Sequence, residues 1–468
     1  IAFDDCSSLT EVNYQGTMDQ WLNMTFGKSW LPYNDNINLY INNELVDEIT
    51  INNDIPSYAF LRIDSITKVT LGEGVTSIGN IAFDDCSSLT EVNYQGTMDQ
   101  WLNMTFGKSW LPYNDNINLY INNELVDEIT INNDIPSYAF LRIDSITKVT
   151  LGEGVTSIGD SAFSGCSNLT EIYYQGTMDQ WLNMTFVSSW LPSNNNINLY
   201  INNELVDEIT INADIPSYAF YGIDLITKVT LGEGVTSIGG SAFRYCSSLA
   251  TVTFVEGSQL ESIGDYAFYN CSNLTEITLP SSLTSIGHIA FDDCSSLTEV
   301  NYQGTMDQWL NMTFGKSWLP YNDNINLYIN NELVDEITIN NDIPSYAFLR
   351  IDSITKVTLG EGVTSIGDSA FEDCSNLNSI TITEGVESIK KWAFDGCYSL
   401  TNVTIESDDV YKVVTSTTSA GYLLRRATTV RVPTSIVEAN DNSYLEDTSK
   451  FTTSTSDDGK YTVFTKVQ

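Results

Sequence analysis

Residues Ile66–Leu89 read ITKVTLGEGVTSIGNIAFDDCSSL, and the spacing within them decides the fold. The apolar residues fall at Ile66, Val69, Leu71, Val75, Ile78, Ala82, Phe83 and Cys86, and the frame restarts at Leu89. The same frame runs from Leu274 to Leu297, from Ile354 to Leu377 and from Leu377 to Leu400. A unit starting at Leu249 is slightly longer, and one from Val46 to Ile66 is slightly shorter. Self-similarity at a period of about 23 residues signals stacked units that share one continuous core. A larger copy overlies the small one. Ile1–Gly79, Ile81–Gly159 and Ile289–Gly367 are identical, and a diverged copy begins at Ser161.

Alternation at Val69 and Leu71 puts both on one face of a short strand. Val75 and Ile78 close the opposite wall, and Ala82 with Phe83 fills the corner. The L-x-x-V-x-L core matches the strand of a leucine-rich repeat. The expected fold is a repeat solenoid, mostly short β-strands and turns with short helical insertions. It would span residues 1–405 in about sixteen coils. Residues 406–468 are expected to form a C-terminal β-rich cap or a linker, because a solenoid's last open core needs covering. An echo of the frame survives there within Tyr422–Val437, and Tyr461–Phe464 reads as a strand.

Four coils carry islands, near residues 16–40, 96–120, 176–200 and 304–328. In the first, Thr17 with Gln20 is a capping box, so Met18–Met24 is expected to be helical. Leu39–Val46 reads as a hairpin whose turn, Asn42-Asn43, tolerates positive φ.

The composition excludes whole classes of function. Of 468 residues, 61 are acidic and 20 basic, a net charge of −41. That balance opposes nucleic-acid binding, which needs Lys and Arg to displace counterions from phosphate. It equally opposes docking on an anionic membrane. Hydrophobic residues make up 42%, enough for a large core. The chain opens within a unit and shows no leader, so it reads as a piece of a longer protein whose anchor and signal lie elsewhere.

Few residues suggest chemistry. All eight cysteines fall on one repeat position, which elsewhere holds Ile63, Ile143, Ile223 or Ile351. That exchange predicts buried thiols rather than disulfides. No C-x-x-C or paired-His spacing exists, so neither a metal nor a cofactor is expected. The single histidine, His288, has no marked nucleophile beside it. Carboxylate pairs such as Asp4-Asp5 read as a solvated acidic face. Asn34-Asp35-Asn36 lacks the closing Glu of an EF-hand loop. No catalytic residue is assigned, and the chain is expected not to be an enzyme.

The sharpest candidates are aromatic. The islands hold Trp21, Trp30 and Tyr33; Trp101, Trp110 and Tyr113; Trp181 and Trp190; Trp309, Trp318 and Tyr321. Exposed rings of this kind bind carbohydrate or protein at little entropy cost, and their repetition suits multivalent binding. The diverged copy favours packing instead for the tryptophans. There Gly27, Lys28, Tyr33 and Asp35 have become Val187, Ser188, Ser193 and Asn195, while Trp181, Leu182, Met184, Phe186 and Trp190 are kept.

One stretch carries a family resemblance: Ser262–Pro280, SIGDYAFYNCSNLTEITLP. It resembles the bacterial BspA-type leucine-rich repeat proteins, over about residues 1–405 apart from the islands. The resemblance implies a surface or secreted protein, adhesive toward host matrix proteins, cell-surface proteins or other cells. The resemblance thus implies a non-enzymatic extracellular scaffold of bacterial origin. A multivalent carbohydrate-binding module using the island aromatics, with glycans as partners, and a passive surface stalk are the alternatives. No nucleic-acid partner and no membrane insertion are expected within this chain.

Overall fold

The computed structural model describes residues 3, 5–28, 30–33, 36–114, 116–192, 196–322, 324–406, 428–433, 451–456 and 461–466. Asp4, Asn34, Asp35, Ser193, Asn195 and Tyr422, on which expectations were placed above, lie outside the described residues. The chain forms two compact units: Ile1–Asp207 with Pro216–Leu225, and Glu208–Ile215 with Ile226–Gln468.

In the first unit the coils follow the frame. Val69 and Leu71 of strand Lys68–Leu71 point into the core and are buried, while Lys68 and Thr70 face outward. Adjacent strands pair in parallel, position for position: Glu48 with Lys68, Lys68 with Glu91, Glu91 with Asn118. The opposite wall forms its own ladder, with Ser77–Ile78 beside Thr105–Phe106 and Ile55 bridged to Ile78. At the corner, Phe60 stacks on Phe83 at 5.1 Å and Phe140 on Phe163 at 5.2 Å.

The islands correct the sequence reading in one respect. Asn118–Ile121 is not simply one arm of an island hairpin. It is a rung of the parallel sheet, in register with Glu91–Tyr94. The island is therefore itself a coil. It runs through the helix Met98–Leu102, capped by Thr97 and Gln100, and then through Thr105–Phe106 on the second wall. At the corner it presents Trp110, whose carbonyl accepts from Phe83 N at 2.9 Å. The hairpin turn is where it was expected, with Asn122 and Asn123 at φ 51° and 65°. Its second arm, Glu124–Leu125, pairs antiparallel with Tyr120–Ile121 and occupies that edge. The next strand, Glu128–Ile131, consequently starts a new sheet. The helices are shorter than expected, ending at Leu22 in the first island.

The second unit repeats these elements. Phe243, Phe268 and Phe291 stack in sequence, as do Phe348, Phe371 and Phe394. Its last sheet runs from Glu336–Ile339 through Lys356–Leu359, Ser379–Ile382 and Asn402–Ile405 to Thr429–Pro433. Tyr461–Lys466 and Phe451–Thr455 then add on antiparallel.

The cysteines sit in the corners as free thiols, seven buried and one, Cys6, exposed. The buried Sγ–H of Cys86, Cys166, Cys271, Cys294, Cys374 and Cys397 each reaches the backbone of the preceding coil: Cys86 donates to the Phe60 carbonyl at 2.9 Å and Cys294 to that of Phe268 at 3.1 Å. Burial pushes the Cys86, Cys166 and Cys397 thiols well above the ordinary range. Cys6 departs from the buried pattern because no described coil covers it. A maleimide added to the native chain should label Cys6 alone. All eight thiols should react in denaturant, and rapid native labelling of several would contradict the packing.

A second device ties coil to coil by charge. Asp54 Oδ1 accepts from Thr76 N at 2.7 Å and Ser77 N at 2.8 Å, and Asp134, Asp214 and Asp342 repeat it. Burial works to raise these carboxyls, but the N–H and hydroxyl bonds outweigh it and hold them below the ordinary value. A depressed carboxyl contributes stability that is complete above its unfolded pKa, near 3.9 by the usual reference, and is lost as pH falls through the lower folded value. The urea midpoint should therefore fall on acidification below about pH 4. Asp134→Asn should lower the midpoint at neutral pH and flatten that acid limb.

Candidate binding surface

The eight island tryptophans are buried. Trp101 Nε1 donates to the Ala139 carbonyl at 3.2 Å and Trp110 Nε1 to that of Tyr138 at 2.9 Å. The same pair of bonds recurs from Trp21 and Trp30, from Trp181 and Trp190, and from Trp309 and Trp318. The rings also pack on each other: Trp101 lies 6.1 Å from Trp110 and 4.8 Å from Phe106. Each pair clips its island to the coil that follows. A ligand cannot lie against an indole face that the core already covers, so a binding role for these rings is corrected to a packing one.

The island tyrosines are placed differently. Tyr33, Tyr113 and Tyr321 are 84%, 86% and 77% exposed. Each is stacked by an arginine of the next coil: Arg62 lies 3.5 Å from the Tyr33 centroid, Arg142 3.5 Å from Tyr113 and Arg350 4.2 Å from Tyr321. The arginines are anchored from below. Arg62, Arg142 and Arg350 donate to the carbonyls of Leu31, Leu111 and Leu319 at 3.0, 2.6 and 2.6 Å. Acids flank them, with Arg62 3.4 Å from Asp85, Arg142 3.7 Å from Asp84 and Arg350 3.7 Å from both Asp292 and Asp373. Burial raises Asp84 and Asp292 above the ordinary carboxyl value, despite the arginines.

Within the first unit these residues enclose a groove of about 450 Å³. Tyr33 and Tyr113 wall it, and Arg62, Asp64, Asp85, Ser87 and Pro112 line the space between. Asp64 is committed to the fold. It accepts from Asn36 N and Ile37 N on one oxygen, and from Ser87 on the other. Sequence reasoning found the tyrosines and missed the arginines. The signal was present: the diverged copy, which replaces Tyr33 by Ser193, also replaces Arg62 by Gly222.

The remaining candidates are structural. His288 Nδ1 accepts from Lys316 N at 2.7 Å, the bond that Asn80 makes to Lys108 N in the second copy. Among the described residues no group of three or more His, Cys, Asp or Glu could hold a metal ion. No helix among them is long and apolar enough to cross a membrane.

The family described as BspA type leucine rich repeat region (6 copies) matches this chain over five overlapping or adjoining stretches, residues 1–111, 53–189, 115–212, 213–341 and 341–455. Among solved structures, a leucine-rich repeat protein from Eubacterium ventriosum is similar at 18% identity, over 74% of this chain and 89% of that one, with a TM-score of 0.43. One from Bacteroides ovatus is similar at 21% identity over 78% and 88%, TM-score 0.35. The pneumococcal vaccine antigen PcpA is similar at 15% over 81% and 84%, TM-score 0.37. No curated protein matches.

Core and surface roles predict opposite costs. Trp101→Ala should destabilise the chain by about 3–5 kcal/mol, as expected for a buried aromatic. Tyr113→Ala should stay within about 1 kcal/mol. Urea midpoints of the two variants decide, and equal losses would refute the division.

Proposed function

Because the chain belongs to the BspA-type leucine-rich repeat family, we propose that it is a non-enzymatic extracellular scaffold for adhesion or protein–protein binding, displayed at a cell surface. The observation that carries this reading is the outward face of the strand ladders. In-register pairing lines up Glu48, Lys68 and Glu91 in one row and Thr50 and Thr70 in the next. Such a face is rich in polar side chains, and it has a row spacing of about 4.8 Å that a protein partner can span without the scaffold reshaping.

One place on this face has the makings of a binding hot spot. Tyr173 and Tyr200 are register partners in the first unit and stack at 4.4 Å with nearly parallel rings. Lys148 Nζ stands 5.0 Å from the Tyr173 centroid. Aromatic rings beside a cation on an otherwise polar face are what binding energy concentrates on. The net charge of −41 favours a partner with a basic surface.

The purified chain should bind at least one of fibrinogen, fibronectin and collagen saturably, with the same affinity in EDTA. Tyr173→Ala combined with Tyr200→Ala should weaken it roughly tenfold or more. Silence from all three proteins would instead support a passive stalk.

A further inference from the structure

We infer that the groove between Tyr33 and Tyr113 is a binding site for neutral glycans. This rests on the reading of the chain as a binding scaffold and gives it a specific small-ligand site away from the strand face.

The cluster is not required for folding, and the chain contains its own control. In the third copy Ser193 and Gly222 stand where Tyr33 and Arg62 stand in the first, and Gly165 stands where Asp85 does. Yet that copy keeps the capped helix Met178–Leu182 and both tryptophan clips, at 3.2 and 2.9 Å. The described elements of the coil form without the tyrosine, the arginine and the acid.

What they present matches a sugar. The volume of about 450 Å³ lies in the usual range for small-ligand sites. Tyr33 and Tyr113 offer flat apolar ring surface for the C–H face of a pyranose. Between them Arg62 donates hydrogen bonds, Asp85 accepts them, and the Ser87 hydroxyl, whose proton goes to Asp64, can accept one more. A sugar hydroxyl likewise donates and accepts at once. Arg62 is ion-paired with Asp85 at 3.4 Å, so the groove has no uncompensated guanidinium to hold an anion. The chain's charge of −41 further repels sulfated or sialylated glycans. An external cation is disfavoured too, since Arg62 already lies on the Tyr33 ring.

The second unit builds a related cluster from partly different residues. Tyr321 stacks on Arg350, which stands 3.7 Å from Asp373, and Arg350 Nε, although buried, has no hydrogen-bond acceptor. Tyr398, 64% exposed, follows Cys397 one coil on.

The test uses the full chain with maltotriose, cellotriose, triacetylchitotriose and N-acetyllactosamine, followed by saturation-transfer NMR and calorimetry. At least one should bind, with little change when salt is raised to about 0.5 M. Tyr33→Ala with Tyr113→Ala should weaken that binding roughly tenfold or more at an unchanged urea midpoint. Three results would each overturn the inference: no sugar bound, binding undiminished in the double variant, or salt-sensitive binding of an oligoarginine peptide lost in that variant. If the sugars fail while fibrinogen, fibronectin or collagen still bind, the glycan site alone is rejected and the scaffold reading stands.

Discussion

No coil of this chain can close its own core. Val69 and Leu71 face inward from one wall, Ile78 faces them from the other, and the ends of that sandwich are covered only by the coils on either side. Stability is therefore a sum over neighbour contacts, and every contact must keep the same register. The corners enforce it. A phenylalanine displaced by one residue would lose its ring partner, and a displaced cysteine would lose the carbonyl its thiol reaches. The apolar frame is consequently rigid in sequence, while the outward positions are free to vary without cost to folding.

The islands show how an irregular coil is fitted into that regime. A longer path between strands must be fastened at several points, and the structure uses three. The helix is fixed by its capping box, and the two indoles donate to the next coil's backbone. The third is Asp144, which accepts from Asn116 N and Ile117 N behind it and from Ser167 N ahead, joining three successive coils through one buried carboxylate. Backbone donors in a coil lacking regular pairing need such acceptors, because an unmet buried N–H is expensive. The Asn-Asn hairpin is the one concession. Its second arm interrupts the ladder, and in the second copy the tryptophan and Asp144 bonds carry the stacking past the break.

What was legible in the sequence was whatever the local period encodes. Val69, Leu71, Phe83 and Cys86 recur at fixed spacing, so strand, corner and buried thiol could be read directly. Thr17 with Gln20 named a helix start, and Asn42-Asn43 named a turn. The pairing of Asn118–Ile121 with Glu91–Tyr94 was not legible, since a parallel rung is fixed by a strand 27 residues earlier and leaves no local mark. Nor was the Tyr33–Arg62 stack, which joins residues on different coils. The tryptophans were half legible. Their retention in the diverged copy pointed to packing, but only the coordinates show which carbonyls they reach.

Duplication in such a chain does more than lengthen it. The groove takes Tyr33, Arg62, Asp85 and Tyr113 from four successive coils, so its two walls belong to two successive copies of the long repeat. A single copy has one wall. Joining two identical copies creates a cavity that neither contains. The step from the second copy to the third repeats the near side with Tyr113 and Arg142, but the sequence then has Gly165 in place of the acid and Ser193 in place of the second tyrosine. Sites in this architecture are properties of neighbouring pairs, as stability is, and divergence of one copy removes surface chemistry at its junctions while leaving the stack intact.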